Sequence, residues 1–267
     1  MVILIILGSI FYGCRKGGGS GSESGQLSQN ACEDLGLGTK SYQKIVNGTP
    51  CTNLERSPVV RLVFINLGGQ TSFCSGTMIT NNDVLTAAHC FLLNPVRVLM
   101  LTGKSLEAST SYEAGSWSVH PNLSAVGNSV KNDVAIVHLT EIPNLPTVPV
   151  LISQSVDKGE EVSIFGYGTD ENGNFDFEDL QSGEMLVSDV TSTNVSAVFN
   201  DEGSNTCQGD SGGPMLARRS GIVAIAGITS SGTVVNCLEG DTSFFTNLND
   251  KSVHDFLQKE VPDASYL

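Results

Sequence analysis

The chain has 267 residues, enough for one sizeable domain with short appendages. Hydrophobic residues make up 40%, the ordinary share of a soluble globular protein. Asp and Glu total 28 against 14 Lys and Arg, and the formal charge of −14 argues against a nucleic-acid partner, since phosphate binding needs clustered cations.

The first 13 residues are nearly all apolar, from Met1-Val2-Ile3-Leu4-Ile5-Ile6-Leu7 to Gly13. A membrane-spanning helix needs about 20 such residues, whereas a signal-peptide core of roughly 7–15 fits. Cys14 follows at once, and then Arg15-Lys16-Gly17-Gly18-Gly19-Ser20, the composition of a flexible linker. This layout resembles a bacterial lipoprotein signal, with cleavage before Cys14 and lipid on its thiol. An ordinary export signal with an incidental cysteine is the plainer alternative. Either way the protein is exported, held in the cell envelope by lipid at Cys14 or left periplasmic or secreted without it.

Beyond the linker, short apolar runs recur between turn residues. They are Val59–Phe64, Asp133–Leu139, Glu161–Phe165 and Ile222–Ile228, each of strand length and rich in β-branched residues. The Pro-rich stretch Ile142–Pro149 reads as a connector, because proline cannot serve a central strand. An amphipathic helical pattern appears only near the end, around Val253–Leu257. The chain therefore reads as all-β with a short C-terminal helix.

Three short motifs carry chemistry, in this order: Thr86-Ala87-Ala88-His89-Cys90, Asn132-Asp133-Val134-Ala135-Ile136 and Cys207-Gln208-Gly209-Asp210-Ser211-Gly212-Gly213-Pro214. The last puts a serine on a glycine-rich turn, where its hydroxyl is presented and backbone N–H groups can meet an oxyanion. Asp133 is followed by an apolar strand, and a buried acid there needs a partner. His120, in Val119-His120-Pro121, reads as a packing residue, and His138 and His254, with no motif around them, read as structural.

With Ile45-Val46-Asn47-Gly48, Cys74-Ser75-Gly76-Thr77-Met78-Ile79 and Phe165-Gly166-Tyr167-Gly168, these segments make the region from Ile45 to about Gln258 resemble the trypsin/chymotrypsin family of serine peptidases. The resemblance implies two packed six-stranded antiparallel β-barrels with the active site between them. It implies Ser211 as nucleophile, His89 as general base and then acid, and Asp133 orienting the imidazole. The N–H groups of Gly209 and Ser211 would form the oxyanion hole. Lys44-Ile45 looks like a zymogen cleavage site, and Asp210 would pair with the new amine on Ile45. Residues 1–13 are then signal peptide, 14–44 linker and propeptide, and 45–267 the protease domain. The substrate is a protein or peptide.

Seven cysteines are present. With Cys14 lipidated, six remain, which suits three disulfides in an oxidising compartment. The resemblance implies Cys74–Cys90 and Cys207–Cys237, which leaves Cys32 and Cys51 for each other. That bond would span the cleavage site, so the cleaved propeptide would stay on the enzyme until reduced, and with it the lipid anchor. Neither a metal nor a cofactor is called for. No Cys-x-x-Cys pair exists, the four histidines are scattered, and the acidic loop 170–181 has Phe175 and Gln181 where a calcium loop wants Gly and Glu.

By resemblance Asn205 sits at the floor of the primary specificity pocket, where a trypsin-like preference for Arg or Lys would want aspartate. Ser230-Ser231-Gly232 would line its wall, with Gly232 and Ser243 keeping it open. A two-residue slip would bring in Asp241 instead of Ser243. A neutral floor allows cleavage after polar, aromatic or apolar residues, and a pocket that rejects lysine would need a separate protease to cut Lys44-Ile45. The rival readings are a catalytically silent protease-fold binding lipoprotein, and a lipoprotein adhesin with an incidental motif.

Overall fold

The computed structural model describes residues 31–39, 48–170, 173, 177–200 and 203–267. The signal segment, Cys14 and the Lys44-Ile45 bond lie outside the described residues, as does most of the acidic loop.

In chain order the elements begin with α1 (Ala31–Asp34), β1 (Gly38–Thr39) and β2 (Thr49–Thr52). There follow β3 (Val59–Asn66), β4 (Thr71–Met78), β5 (Asp83–Thr86), β6 (Pro95–Gly103) and β7 (Ser109–Val119). A small hairpin of β8 (Ser124–Val126) and β9 (Ser129–Lys131) precedes β10 (Ala135–Leu139). The second half holds β11 (Glu161–Gly166), β12 (Gln181–Val190), β13 (Asn194–Val198), β14 (Pro214–Arg219), β15 (Ile222–Gly232) and β16 (Thr242–Asn247), and then α2 (Lys251–Glu260).

These strands close into two antiparallel barrels of six. The first runs β10-β5-β4-β3-β6-β7, and the second runs β12-β11-β14-β15-β16-β13, closed where β13 returns to β12. Strand β12 is long enough for two partners besides β11: Val187–Val190 pair with β13, while Gln181 and Ser182 pair with Pro50 and Thr49 of β2. The hairpin β1–β2 thus extends the second barrel at one edge. The link between barrels, residues 142–149, has no regular structure and buries Leu145 and Val148, as its prolines dictate.

Strand β6 shows the alternation that a half-buried strand needs: Pro95, Val98, Met100 and Thr102 are buried and the residues between them more open. Inside the second barrel, small and large side chains alternate, with Ala197, Ala217, Ala224 and Ala226 among Val162, Ile164, Met185, Met215 and Phe245. Helix α2 starts at Asp250, whose carboxylate accepts from the N–H groups of Ser252 and Val253. It buries Val253, Phe256 and Leu257, the 3- and 4-residue spacing of one helix face. His120 packs on Phe256, with ring centroids 5.0 Å apart, and bonds to the Ser252 carbonyl.

Arg61 is the exception to the strand pattern. It stands in the middle of β3 and is completely buried. Its guanidinium donates to the carbonyls of Gly103, Phe177 and Glu178 and lies over the Tyr167 ring, 5.2 Å from the centroid. Charge burial is tolerable there because carbonyl dipoles and an aromatic face replace water.

Candidate active site

The site is assembled across the barrel interface. At the end of β5 the chain turns into a short 3-10 helix, Ala88–Phe91, that carries His89. The Cys74–Cys90 disulfide ties that helix to β4. The Thr86 hydroxyl, donating to the Ser75 carbonyl at 2.8 Å, fixes the approach.

Asp133 precedes β10, held in place by Asn132 in a left-handed conformation (φ 55°). Its carboxylate is fully buried and receives three donors. The His89 backbone N–H gives to Oδ1 at 2.8 Å, His89 Nδ1 lies 2.7 Å from Oδ2, and the Ser230 hydroxyl gives to Oδ2 at 2.5 Å. Burial alone would push the Asp133 pKa up. The hydrogen bond and charge of His89, helped by Ser230, hold it below the usual carboxylate value. Ser230 comes from β15, so the second barrel grips the acid of the first.

Ser211 lies on the turn between the Cys207–Cys237 disulfide and β14. Its carbonyl accepts from the Ser75 N–H at 2.8 Å, and the Ser75 hydroxyl donates to the Gly209 carbonyl at 2.9 Å. Gly212 must be glycine: its φ is 82°, and a Cβ there would stand 2.1 Å from Thr86 Oγ1 and 2.3 Å from the Ser75 carbonyl. That close approach sets the serine turn against the strand end that leads to His89. In the turn, Asp210 N–H donates to Cys207 and Gly213 N–H to Asp210, while the N–H groups of Gly209 and Ser211 make no such bond among the described residues.

The Asp210 carboxylate is buried under this turn. It accepts from the N–H groups of Gly168 and Cys207, both at 2.8 Å. Burial pushes its pKa up to about 7, against the lowering effect of those two bonds. The Phe165-Gly166-Tyr167-Gly168 motif is explained by the same group, since a Cβ on Gly166 would lie 2.1 Å from Asp210 Oδ1.

A pocket of 230 Å³ opens beside Ser211, walled by Thr229, Ser230, Ser231, Gly232, Val234 and Asp241. Asn205 and Ser243 are both buried without exposure behind it. The Asn205 amide donates to the Cys237 carbonyl and to Asp241 Oδ2, each at 2.9 Å, and accepts from the Ser243 hydroxyl at 2.7 Å. Asp241 is the acid that faces Gly232: a Cβ on that glycine would lie 3.1 Å from Oδ2. Its Oδ1 accepts from Thr233 N–H, Thr233 hydroxyl and Val234 N–H. A larger hollow of 660 Å³ lies across Cys207, Gln208 and Val235, with Phe73, Thr169 and Leu238 in its walls.

His89 sits close to the sulfurs of Cys74 and Cys90, but these are bonded to each other and offer no thiolate to a metal. His138 pairs with Asp83 at 2.7 Å on the first barrel, away from Ser211 and its pocket. Ser75 escaped the sequence reading. Its place between Cys74 and Gly76 in a matching segment was the available signal.

This arrangement can be compared with known proteins. A family profile described as Trypsin matches residues 45–256, most of the chain. The chain belongs to the trypsin family. At that level it is a serine endopeptidase, a hydrolase acting on proteins or peptides. Trypsin-1 of Salmo salar is 28% identical over 189 residues, 65% of this chain and 75% of that protein. Trypsin of Saccharopolyspora erythraea is 30% identical over 180 residues, 60% of this chain and 75% of that one. Mannan-binding lectin serine protease 1 of Mus musculus is 28% identical over 216 residues, 67% of this chain and 30% of that protein. All three disulfides expected of this trypsin-family chain are formed: Cys32–Cys51, Cys74–Cys90 and Cys207–Cys237. They suit an extracellular, oxidising setting. Among the described residues no helix is long and apolar enough to cross a membrane.

Proposed function

We propose that the protein cleaves peptide bonds through Ser211, His89 and Asp133, and that it is made as an inactive precursor cut at Lys44-Ile45. The observation that carries the catalytic reading is the buried Asp133 carboxylate bonded to His89 Nδ1 and steadied by Ser230. With Nδ1–H committed to Asp133, Nε2 is left as the basic nitrogen. Ser211 Oγ adds to the scissile carbonyl as Nε2 takes its proton. The N–H groups of Gly209 and Ser211 receive the oxyanion, a contribution of about 3 kcal/mol per donor. The imidazolium then protonates the leaving amine, the acyl-enzyme forms, and water repeats the sequence to release the acid.

The buried Asp210 supports the precursor reading. A carboxylate held near neutral pKa by burial gains most from a cation delivered to it, and the ammonium of a freed Ile45 is such a cation. Residues 1–13 direct export, and lipid on Cys14 holds the protein at the envelope membrane. Asp241 makes the pocket anionic although Asn205 is neutral, and no basic side chain pairs with it among the described residues. Basic and neutral side chains are therefore favoured over acidic ones, and Lys44 becomes an acceptable bond for the enzyme itself as well as for a separate activating protease.

Replacing Ser211 by Ala tests the catalytic reading. It abolishes turnover, by roughly 10⁶ in kcat by analogy with subtilisin, without disturbing folding. Substantial hydrolysis by the purified variant refutes it.

A further inference from the structure

The segment before the proposed cleavage site is built into the second barrel. Cys32 and Cys51 are bonded, and both are fully buried. Ala31 and Leu37 are buried too, at 2% and 3% exposure. The Ala31 N–H donates to the Glu184 side chain on β12. Asp34 Oδ1 meets Arg218 Nη2 of β14 at 2.5 Å, with the Asp34 side chain 1% exposed. Strand β1 then pairs with β2, Gly38 opposite Thr52 and Thr39 opposite Cys51. Strand β2 is secured in turn to β12, and the Cys51 N–H donates to the Leu180 carbonyl.

Covalent, ionic, apolar and strand contacts thus all fasten one nine-residue stretch. Strands β1 and β2 end at Thr39 and begin at Thr49, so a cut at Lys44-Ile45 severs neither of them. An expendable propeptide has no need of an ion pair through a buried carboxylate or of a place in the sheet.

We infer that residues 31–39 are a permanent clasp: they remain docked on β2, β12 and β14 after cleavage, and the mature enzyme is a two-chain molecule. The partner that this face of the barrel fits is the enzyme's own N-terminal fragment. The clasp holds by its non-covalent contacts as well as its disulfide, so reduction alone does not release it. Whatever anchors the chain ahead of residue 31 continues to hold the active enzyme. The two-chain consequence rests on Lys44-Ile45 being the activation bond; the docking of 31–39 does not.

The test separates the two. Lys40→Asp, Ser41→Asp, Tyr42→Asp and Gln43→Asp, introduced together in the full chain, let enteropeptidase cut after Lys44. Reduced, denatured mass measurement verifies the cut, and native mass spectrometry then asks whether the fragment stays. It is expected to remain bound without reductant, and also when the same chain carries Cys32→Ser and Cys51→Ser. Loss of the fragment from the oxidised protein, or from the double Cys variant, overturns the clasp. Should the double Cys variant fail to fold, the cut parent protein reduced under native conditions gives the same reading. A cut protein that keeps its fragment but gains no reactivity at Ser211 counts against the activation reading and leaves the clasp standing.

Discussion

The Ser230 hydroxyl donates to Asp133 Oδ2 at 2.5 Å, on the same oxygen that faces His89 Nδ1. A residue expected at the wall of the specificity pocket therefore also stabilises the acid of the site, and it does so from the opposite barrel. A hydrogen bond to a charged group contributes about 1.5–3 kcal/mol. Ser230→Ala should lower kcat roughly 10- to 100-fold with the protein still folded. Steady-state kinetics checks it; an unchanged kcat with only a raised KM would show that Ser230 serves substrate alone.

Gly166 has no room for a side chain, because its Cβ would meet Asp210 Oδ1 at 2.1 Å. Gly166→Ala should destabilise the protein by about 1–3 kcal/mol, the usual cost of overpacking. It should also blunt Ser211 reactivity, since Asp210 is the preceding residue. Thermal unfolding and active-site labelling of the variant measure both effects, and full stability would contradict the packing.

Asp210 makes the stability of the uncut protein depend on pH. Its pKa is raised to about 7 in the fold, so the folded state holds a proton that the unfolded chain releases near the ordinary carboxyl value. The stabilisation is fully present below that ordinary value and is lost as pH rises towards about 7. Denaturant midpoints of the uncut protein should fall over this range, and Asp210→Asn should flatten the trend. After cleavage the Ile45 ammonium favours the ionised acid, and the fall should disappear. Identical pH profiles before and after cleavage would argue against pairing of Asp210 with Ile45.

Asp241 is the charged group of the pocket. Asp241→Asn should reduce kcat/KM for substrates with Lys or Arg at the cleaved bond relative to neutral ones, by about 10-fold for a loss near 1.4 kcal/mol. A peptide-library profile of the two proteins gives the ratio. An unaltered ratio would mean that the carboxylate is shielded by its own hydrogen bonds. Maturation of the purified wild type, but not of Ser211→Ala, would show that the enzyme cuts its own Lys44-Ile45 bond.

Much of the fold was legible in the sequence because its signals are local. Alternating apolar runs gave β3, β10, β11 and β15, prolines gave the connector, and Val253–Leu257 marked α2. The hairpin β8–β9 also carries a local signal, Gly127-Asn128 between Val126 and Ser129, a two-residue turn. Arg61 was not legible, since its burial depends on carbonyls more than 40 and more than 110 residues away. The pocket was legible only in part, because strand pairing alone does not say which side chains reach its wall. Gly232 stands opposite Ser243 across β15 and β16, just beyond a register shift between Thr229 and Ser231. The Ser243 side chain turns to Asn205 behind the wall, and Asp241 is the acid in it.

The most direct test of the account is labelling with a serine-directed fluorophosphonate, before and after limited cleavage at Lys44. The account predicts weak labelling of the intact chain, strong labelling after cleavage, and none in Ser211→Ala. Equal labelling before and after cleavage would contradict precursor control, and no labelling of the cleaved protein would contradict the catalytic reading itself.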